Sequence, residues 1–170
     1  METSAQKQIG ISFFNDCEKN NQTWLVKEIG KFYDRETVLL KPTPLPQYAY
    51  YPLRDRYRAE KILDVLPNSQ GMAILTITNK DISTSNHGVY DWGMVGLASF
   101  EKRVCVMSTY RLDANKNKIL NAALHELGHS LQLQHCPNNK CLIQDFQGKI
   151  PYSLLNAPNI CDDCYVKVML

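Results

Sequence analysis

The stretch HELGHSLQLQHC, residues 125–136, carries the strongest chemical signal in the chain. His125 and His129 are four residues apart, so on a helix their imidazoles project from one face about one turn apart. Two nitrogens placed in this way can share one zinc ion at roughly 2.0–2.1 Å. Glu126 would lie beside the metal, where it could take a proton from a water whose pKa the metal lowers to about 7. The stretch therefore predicts a hydrolytic zinc site on a helix.

His135 predicts a sharp turn at the end of that helix. In a continuous helix it would lie about 15 Å along the axis from His125, at a rise of ~1.5 Å per residue, and could not reach the same ion. Sequences of the form HExxHxxGxxH place glycine in this turn because glycine accepts positive φ, whereas here the position is Gln132. Left-handed backbone costs a glutamine roughly 1–2 kcal/mol, far less than the ~10–16 kcal/mol of structural zinc binding. His135 is therefore predicted to be the third ligand.

Four cysteines downstream predict a second, structural zinc site. Cys136 and Cys141 have four residues between them, Cys161 and Cys164 have two, and 19 residues separate the pairs. Such spacings place four thiolates on one tetrahedral ion, which then has no open coordination position and is not catalytic. Because Cys136 directly follows His135, this ion would also hold the segment that folds back to the first site.

Each of these signals also has a plainer interpretation. An isolated HExxH occurs by chance on ordinary helices, and cysteines can be buried small hydrophobes or redox thiols. The combined spacings favour metal binding over both. Cys105 lies in the apolar run VCVM and Cys17 has no partner at a metal-binding spacing, so both are interpreted as plain thiols. His87, in the run TSNHG, is interpreted as a solvated loop residue.

The composition predicts a single domain over residues 1–170, with a sheet and helix part over about 8–131 and a zinc-bound segment over about 132–170. With 44% hydrophobic residues the chain can bury a core. A formal net charge of +2 argues against a nucleic-acid partner, and no run approaches the ~20 apolar residues that span a membrane. The polar start, METSAQKQ, shows no secretory signal, which predicts a cytoplasmic protein with reduced cysteines. A monomer is expected.

Hydrophobic periodicity predicts an α/β fold in which a twisted mixed sheet packs against long helices, with an irregular, zinc-stapled C-terminal segment. The helices are expected over residues 23–33, 54–66 and 115–131. The strands are expected over residues 8–14, 38–40, 72–78, 92–100 and 103–109, the last two forming a hairpin. The third helix carries the zinc motif, and its wide apolar arc predicts that it is buried against the sheet.

The string HELGHSLQLQHCPNNKCLI, followed after seventeen residues by CDDC, resembles the archaemetzincin family of metallopeptidases. The family pattern is HExxHxxGxxHC, four residues, CxM, seventeen residues and CxxC, and every spacing of this chain matches it. Looser similarity extends upstream to residues 57–66, 75–78, 81–82, 95–98 and 107–109, so the resemblance covers about residue 5 to the end. It implies an α+β metzincin-like fold with two zinc ions per chain, one catalytic and one structural.

Two positions depart from that family pattern. Gln132 replaces the turn glycine, and Ile143 replaces a methionine that in metzincins forms a floor beneath the zinc histidines without binding the metal. Ile143 has comparable volume and hydrophobicity, so packing beneath the site can survive. Tyr152 could stabilise an oxyanion, as tyrosines do in some metzincins, although a packed or surface tyrosine is the favoured interpretation.

Together these observations predict a zinc-dependent metallopeptidase that acts on a peptide or protein substrate, with Glu126 as the general base. The resemblance implies that substrate binds as an extended strand along a sheet edge, for which residues 94–98 are the candidate. A catalytically weak or inactive zinc-binding protein of the same fold is the strongest alternative, because of Gln132 and Ile143. A metal-dependent ribonuclease with an HxxxHxxxxxH site is disfavoured by Glu126 and the charge balance. A purely structural zinc module would not need an open three-histidine site.

Overall fold

The computed structural model describes residues 8–17, 22–145 and 156–169, which form two sheets and four α-helices. The strands are β1 (Ile9–Phe13), β2 (Thr37–Leu39), β3 (Tyr50–Tyr51), β4 (Arg56–Arg58), β5 (Ala73–Thr78), β6 (Ile82–Asn86), β7 (Val89–Met94), β8 (Gly96–Ser99) and β9 (Val104–Ser108). The helices are α1 (Gln22–Tyr33), α2 (Ala59–Val65), α3 (Lys116–Ser130) and α4 (Asp162–Met169). None of the described helices combines the length and apolarity needed to cross a membrane. The predicted α/β class is confirmed.

The larger sheet has the strand order β2-β1-β5-β9-β8. Its first four strands are parallel, and β8 is antiparallel to β9, with Gly96 opposite Met107 and Ser99 opposite Val104. β1, β5 and β9 are buried almost throughout, as expected for parallel strands that are covered on both faces. β8 therefore forms one edge of this sheet, and α3 packs against β8 and β9.

α3 is the predicted zinc helix, and its observed bounds agree with the prediction to within one residue at each end. The Asn115 side chain caps the helix by accepting a hydrogen bond from the backbone N–H of Lys118. Every residue from 120 to 130 is buried, and the Tyr33 hydroxyl donates to the Leu124 carbonyl at 2.6 Å. α3 thus packs against both the sheet and α1, which explains its wide apolar arc.

A second sheet, with the order β3-β4-β6-β7, is absent from the sequence-based prediction. The helix predicted over residues 54–66 is wrong in its first part, because β4 pairs with β3 and β6 and the α-helix begins only at Ala59. The Arg58 guanidinium explains the difference. It is buried, donates to the Tyr90 carbonyl and the Ser85 hydroxyl, and forms an ion pair with Glu60. These tertiary contacts outweigh the helix propensity of the segment.

The predicted hairpin is correct only for β8 and β9, and the strand predicted over residues 92–100 is in fact two strands. β7 pairs with β6 in the second sheet, and the chain passes from one sheet to the other at Val95. Gly93 and Gly96 flank this crossing, and glycine both weakens a strand interior and permits close approach of other groups. Residues 96–98 of the candidate substrate edge at 94–98 lie in β8, and their role in binding substrate stays a prediction.

The C-terminal segment is less irregular than predicted, because it ends in α4. Asp162 and Asp163 lie in the first turn of this helix, where carboxylates interact favourably with the helix dipole. The described part of this segment before α4 is irregular, as predicted, and its four cysteines cluster. The single domain over residues 1–170 stays a prediction.

Candidate metal centre

Three imidazoles meet at the C-terminal end of α3. His125 and His129 lie on the helix and His135 in the segment after it, and one ring nitrogen from each lies within 4.8 Å of the others. The Nε2 atoms of His125 and His129 are 3.0 Å apart. The ring centroid of His135 lies 5.7 Å from that of His125 and 4.7 Å from that of His129. The first two histidines are buried and His135 is exposed, so the group opens to solvent on one side.

The turn that returns His135 to the helix places Gln132 in the left-handed region, with a φ of 74°. The backbone N–H of Gln132 donates to the His129 carbonyl at 2.9 Å, and that of Leu133 donates to the Gly128 carbonyl at 3.0 Å. This is the hydrogen-bond pattern of a Schellman motif, which ends a helix with a left-handed residue. The predicted turn and its positive φ are confirmed.

The Gln132 side chain offsets part of the strain in this turn. Its Nε2 donates to the backbone carbonyl of Phe100, in the turn after β8, at 2.7 Å. A hydrogen bond of this kind contributes about 0.5–1.5 kcal/mol, comparable with the roughly 1–2 kcal/mol cost of left-handed backbone. Gln132 therefore differs from glycine in two opposing ways, since it is more strained but supplies a donor.

Backbone carbonyls orient two of the imidazoles. His125 Nδ1 lies 2.8 Å from the Leu142 carbonyl oxygen, and His129 Nδ1 lies 2.7 Å from that of Leu133. A carbonyl oxygen only accepts, so both Nδ1 atoms carry the proton and both Nε2 atoms present lone pairs. These lone pairs repel each other at 3.0 Å unless a cation lies between them. Burial lowers the pKa of His125 to about 3 and lowers the pKa of His129, which favours the neutral, metal-binding form.

The Glu126 carboxyl is buried against β8. A Cβ added at Gly96 would lie 2.6 Å from Glu126 Oε1, so any side chain at residue 96 would collide with this carboxyl. Burial raises the pKa of Glu126 to about 8, and a nearby cation would act in the opposite direction by favouring the carboxylate. Sequence reasoning missed Gly96, although an isolated glycine inside a strand pattern is a known signal of close approach.

Ile143 occupies the position beneath the histidine-bearing part of α3. It is fully buried, and its Cδ1 would lie 2.5 Å from a Cβ added at Gly128. Gly128 therefore allows Ile143 to approach the helix backbone closely, one residue before His129. The expected apolar packing at this position is confirmed.

The four predicted cysteine ligands also come together. The Sγ atoms of Cys136, Cys141, Cys161 and Cys164 lie within 4.8 Å of one another, and those of Cys136 and Cys161 are 3.6 Å apart. None of the six cysteines of the chain, all of which the structure describes, forms a disulfide. Irregular segments carry the first three ligands, and the first turn of α4 carries Cys164. The four thiols thus form one compact group.

The histidine and cysteine groups are linked through short pieces of backbone. Cys136 directly follows His135 in the chain. Leu142, whose carbonyl orients His125, directly follows Cys141. A displacement of the cysteine group therefore displaces both a histidine of the other group and the backbone partner of a second one.

The remaining candidate residues lie elsewhere or are not described. Cys17 and Cys105 belong to neither group, and burial raises the pKa of Cys17 to about 12, as expected for a plain thiol. His87 lies in an exposed turn between β6 and β7. Tyr152 lies outside the described residues.

Proteins of known family resemble this chain over most of its length. No protein-family model matches it. The archaemetzincin of Halobacterium salinarum is 30% identical over 147 residues, which cover 78% of this chain and 82% of that protein. The archaemetzincin of Nanoarchaeum equitans is 32% identical over 131 residues, which cover 76% of this chain and 72% of that protein. The chain belongs to the archaemetzincin family.

Solved structures of archaemetzincins share the fold. The archaemetzincin of Archaeoglobus fulgidus, complexed with malonate, matches with a TM-score of 0.77 at 24% identity, over 94% of this chain and 99% of that chain. The archaemetzincin of Methanopyrus kandleri matches with a TM-score of 0.75 at 23% identity, over 96% and 94%. A zinc-dependent peptidase of Methanocorpusculum labreanum matches with a TM-score of 0.71 at 16% identity, over 94% and 99%. These likenesses establish the architecture.

The ligand atoms of both groups are suited to zinc, the metal of this metallopeptidase family. Imidazole nitrogens and cysteine thiols are the ligand types that zinc prefers, and three imidazoles leave a position for a reactant whereas four thiolates do not. Both groups are compact enough, with their ligand atoms within 4.8 Å of one another, to contact a single ion each. Zinc is therefore the metal that these histidines and cysteines are suited to hold.

Proposed function

We propose that the chain is a zinc-dependent metallopeptidase that hydrolyses peptide bonds in a peptide or protein substrate. The observation that carries this proposal is the meeting of His125, His129 and His135 at the end of the helix that also bears the buried Glu126. Membership of the archaemetzincin family supports it, as does the likeness to the zinc-dependent peptidase of Methanocorpusculum labreanum. A nucleic-acid substrate is not proposed, because a formal net charge of +2 is small for a protein that binds a polyanion.

In this proposal the three histidines hold one zinc ion, which when bound supplies Lewis acidity that acidifies water and polarises a carbonyl oxygen. The backbone carbonyls of Leu133 and Leu142 keep two of the imidazoles in the required tautomer and orientation. Glu126 takes a proton from the attacking water at its carboxylate and passes it to the nitrogen of the leaving amine. Gly96 leaves the space that this carboxyl occupies.

We assign the four-cysteine group a structural role in the same proposal. Cys136, Cys141, Cys161 and Cys164 would hold a second zinc ion, whose coordination by four thiolates leaves no position for a substrate. With this ion bound, Cys136 would hold the adjacent segment that bears His135 against the rest of the molecule. Purified protein would then carry about two zinc ions per chain.

A catalytically weak or inactive protein of the same fold is the second candidate, and the departures Gln132 and Ile143 favour it. The conformation of both residues argues for retained activity. Gln132 adopts the positive φ that the turn requires, and Ile143 is fully buried beneath the zinc helix. We therefore propose an activity that is weak or narrow rather than absent.

Replacement of Glu126 tests the proposal. Zinc-reconstituted wild type should cleave members of a broad peptide library. Glu126→Gln should retain zinc, because Glu126 is not a ligand, and should lose roughly 10²–10⁴-fold in rate, as expected when a general base is removed. Glu28→Gln is the matched control, since Glu28 lies on α1 and pairs with Lys31. Equal cleavage by wild type and Glu126→Gln would show that the assigned mechanism is wrong.

The same assay separates the two candidates. If wild type cleaves nothing while the double variant Gln132→Gly with Ile143→Met cleaves peptides, the chain is a zinc-binding protein that has lost activity through these two positions. If both are inactive with full zinc content, peptide hydrolysis is not the function of this site.

A further inference from the structure

Phe100 is an exposed aromatic residue beside the three-histidine group. It directly follows β8, and its ring centroid lies 6.1 Å from that of His129. The residue is 41% exposed, although an apolar ring of this size gains free energy when it is buried. A ring kept open to solvent next to a metal-binding histidine is suited to contact a bound ligand.

Gln132 holds the backbone at Phe100 in place. Its Nε2 donates to the Phe100 carbonyl oxygen at 2.7 Å. Because the acceptor is a backbone atom, this bond fixes residue 100 independently of the side chain there. Gln132 lies between His129 and His135, so one side chain ties the ligand-bearing turn to the turn after β8. A glycine, which the family pattern has at this position, cannot form this bond.

β8 leads from the Glu126 carboxyl to the Phe100 ring. Gly96, at its start, contacts the carboxyl, and Phe100 lies beside His129 four residues later. β8 pairs with β9 on one side, and no described strand pairs with its other side. A peptide extended along that side would carry successive residues from Glu126 towards Phe100, at about 3.3 Å per residue.

We infer that Phe100 is a specificity-determining residue, which contacts an apolar side chain of the peptide substrate, and that Gln132 is a positioning residue, which holds Phe100 at the site. The inference rests on the proposed peptidase function and names its substrate class. The exposed ring stabilises an aliphatic or aromatic side chain by burial and ring contact. A charged or amide side chain would lose hydration against the ring without gaining a hydrogen-bond partner. The substrate is therefore a peptide with an apolar residue a few positions from the bond that is cleaved.

Peptide binding to zinc-loaded Glu126→Gln tests this inference without turnover. Fluorescence anisotropy would give the Kd of labelled peptides in which one position at a time carries either leucine or asparagine. The intact site should prefer leucine at one position by about tenfold. Adding Phe100→Ala should remove most of that preference, whereas adding Phe100→Leu, which keeps an apolar side chain, should retain it. Zinc content and the midpoint of thermal unfolding should be unchanged by Phe100→Ala and by Phe100→Leu.

Two further variants distinguish the positioning role of Gln132 from a general loss of exposed apolar surface. Gln132→Met keeps the length and neutrality of the side chain but removes the donor, and should lose part of the leucine preference. Leu53→Ala is the matched control, because Leu53 is 79% exposed and lies between β3 and β4 of the second sheet. Its truncation removes exposed apolar surface and should leave the preference intact. A wild-type preference in Gln132→Met would show that the positioning role is wrong.

The outcomes distinguish this inference from the proposed function. If wild type cleaves peptides but Phe100→Ala keeps the full leucine preference, the specificity role is overturned and the peptidase proposal stands. If wild type cleaves nothing while a leucine preference depends on Phe100, the peptide site stands and the proposed hydrolysis is overturned. Absence of any peptide binding would overturn the inference.

Discussion

The three-histidine group and the four-cysteine group are assembled in different ways. Two of the histidines lie on one helix, and a hydrogen-bonded turn returns the third to them. Three of the four cysteines lie in irregular segments, and 19 residues separate the two pairs in the chain. The histidine group is therefore largely positioned by secondary structure, whereas we propose that the cysteine group depends on a bound ion to hold its segments together. Loss of the cysteine group should lower the stability of the whole protein, whereas loss of the histidine group should mainly lower its catalytic activity.

Removal of two cysteine ligands should have the largest effect. Cys161→Ser with Cys164→Ser should lower the free energy of unfolding by about 4–5 kcal/mol or more, because in the two-ion proposal metal binding at this group contributes to folding. Urea unfolding of zinc-loaded protein, followed by circular dichroism, measures the change. His135→Ala is the comparison variant and should cost clearly less, since the helix and the hydrogen-bonded turn that position the histidine group remain. Similar losses in the two variants would contradict the contrast between the groups.

A chelator should remove the zinc ions of the two groups at different rates. The reconstituted protein should hold about two zinc ions per chain, of which the ion of the open three-histidine group is lost first. Peptidase activity should then disappear while the circular dichroism spectrum is still native. Metal analysis at successive times of chelator treatment checks this order. One zinc or none in carefully reconstituted protein would refute the two-ion proposal.

Gly96→Ala should lower the rate of peptide hydrolysis without changing the zinc content. The added Cβ collides with the Glu126 carboxyl and must displace it. A displacement of about 1 Å typically lowers the rate on the order of 10²-fold, while zinc content should not change. Glu126→Asp shortens the carboxylate by one methylene, so the double variant should be more active than Gly96→Ala alone. If Gly96→Ala has wild-type activity, the carboxyl does not need its observed position.

Gln132→Gly should have the smallest effect, within about 1 kcal/mol of wild type. It relieves roughly 1–2 kcal/mol of backbone strain but loses a hydrogen bond to Phe100 worth about 0.5–1.5 kcal/mol. Gln132→Ala keeps the strain and loses the bond, so it should be less stable than Gln132→Gly. Urea unfolding of the three proteins gives both differences. If Gln132→Gly gains the full strain relief of roughly 1–2 kcal/mol and Gln132→Ala is as stable as wild type, the side-chain bond contributes nothing.

The zinc helix and its turn were predictable because their signals are local. Asn115 caps α3 through its own side chain, and the positive φ of Gln132 follows from the requirement that His135 return within six residues of His129. The cysteine group followed from spacing alone, since two close pairs suit one tetrahedral ion. Each of these predictions depended on residues that are near one another in the chain or, for the two cysteine pairs, on the requirement that they share one ion.

The contacts that complete the site come from distant parts of the chain and were not predictable. The carbonyl that orients His125 belongs to Leu142, and every residue type has a carbonyl, so no side chain signals it. The second sheet was missed because β4 has three residues and depends on the buried Arg58 guanidinium for its tertiary contacts. Local propensity cannot show which distant groups will satisfy such a cation.

Residue type and spacing thus specified the metal chemistry: which nitrogens and thiols can share an ion, where the helix ends and where the chain must turn. Tertiary structure alone decided that β8 is a sheet edge, that Gly96 makes room for Glu126 and that Phe100 lies beside His129. The physical reason is distance along the chain. Helix and turn geometry relate residues a few positions apart, whereas contacts across some thirty positions depend on how the whole chain packs.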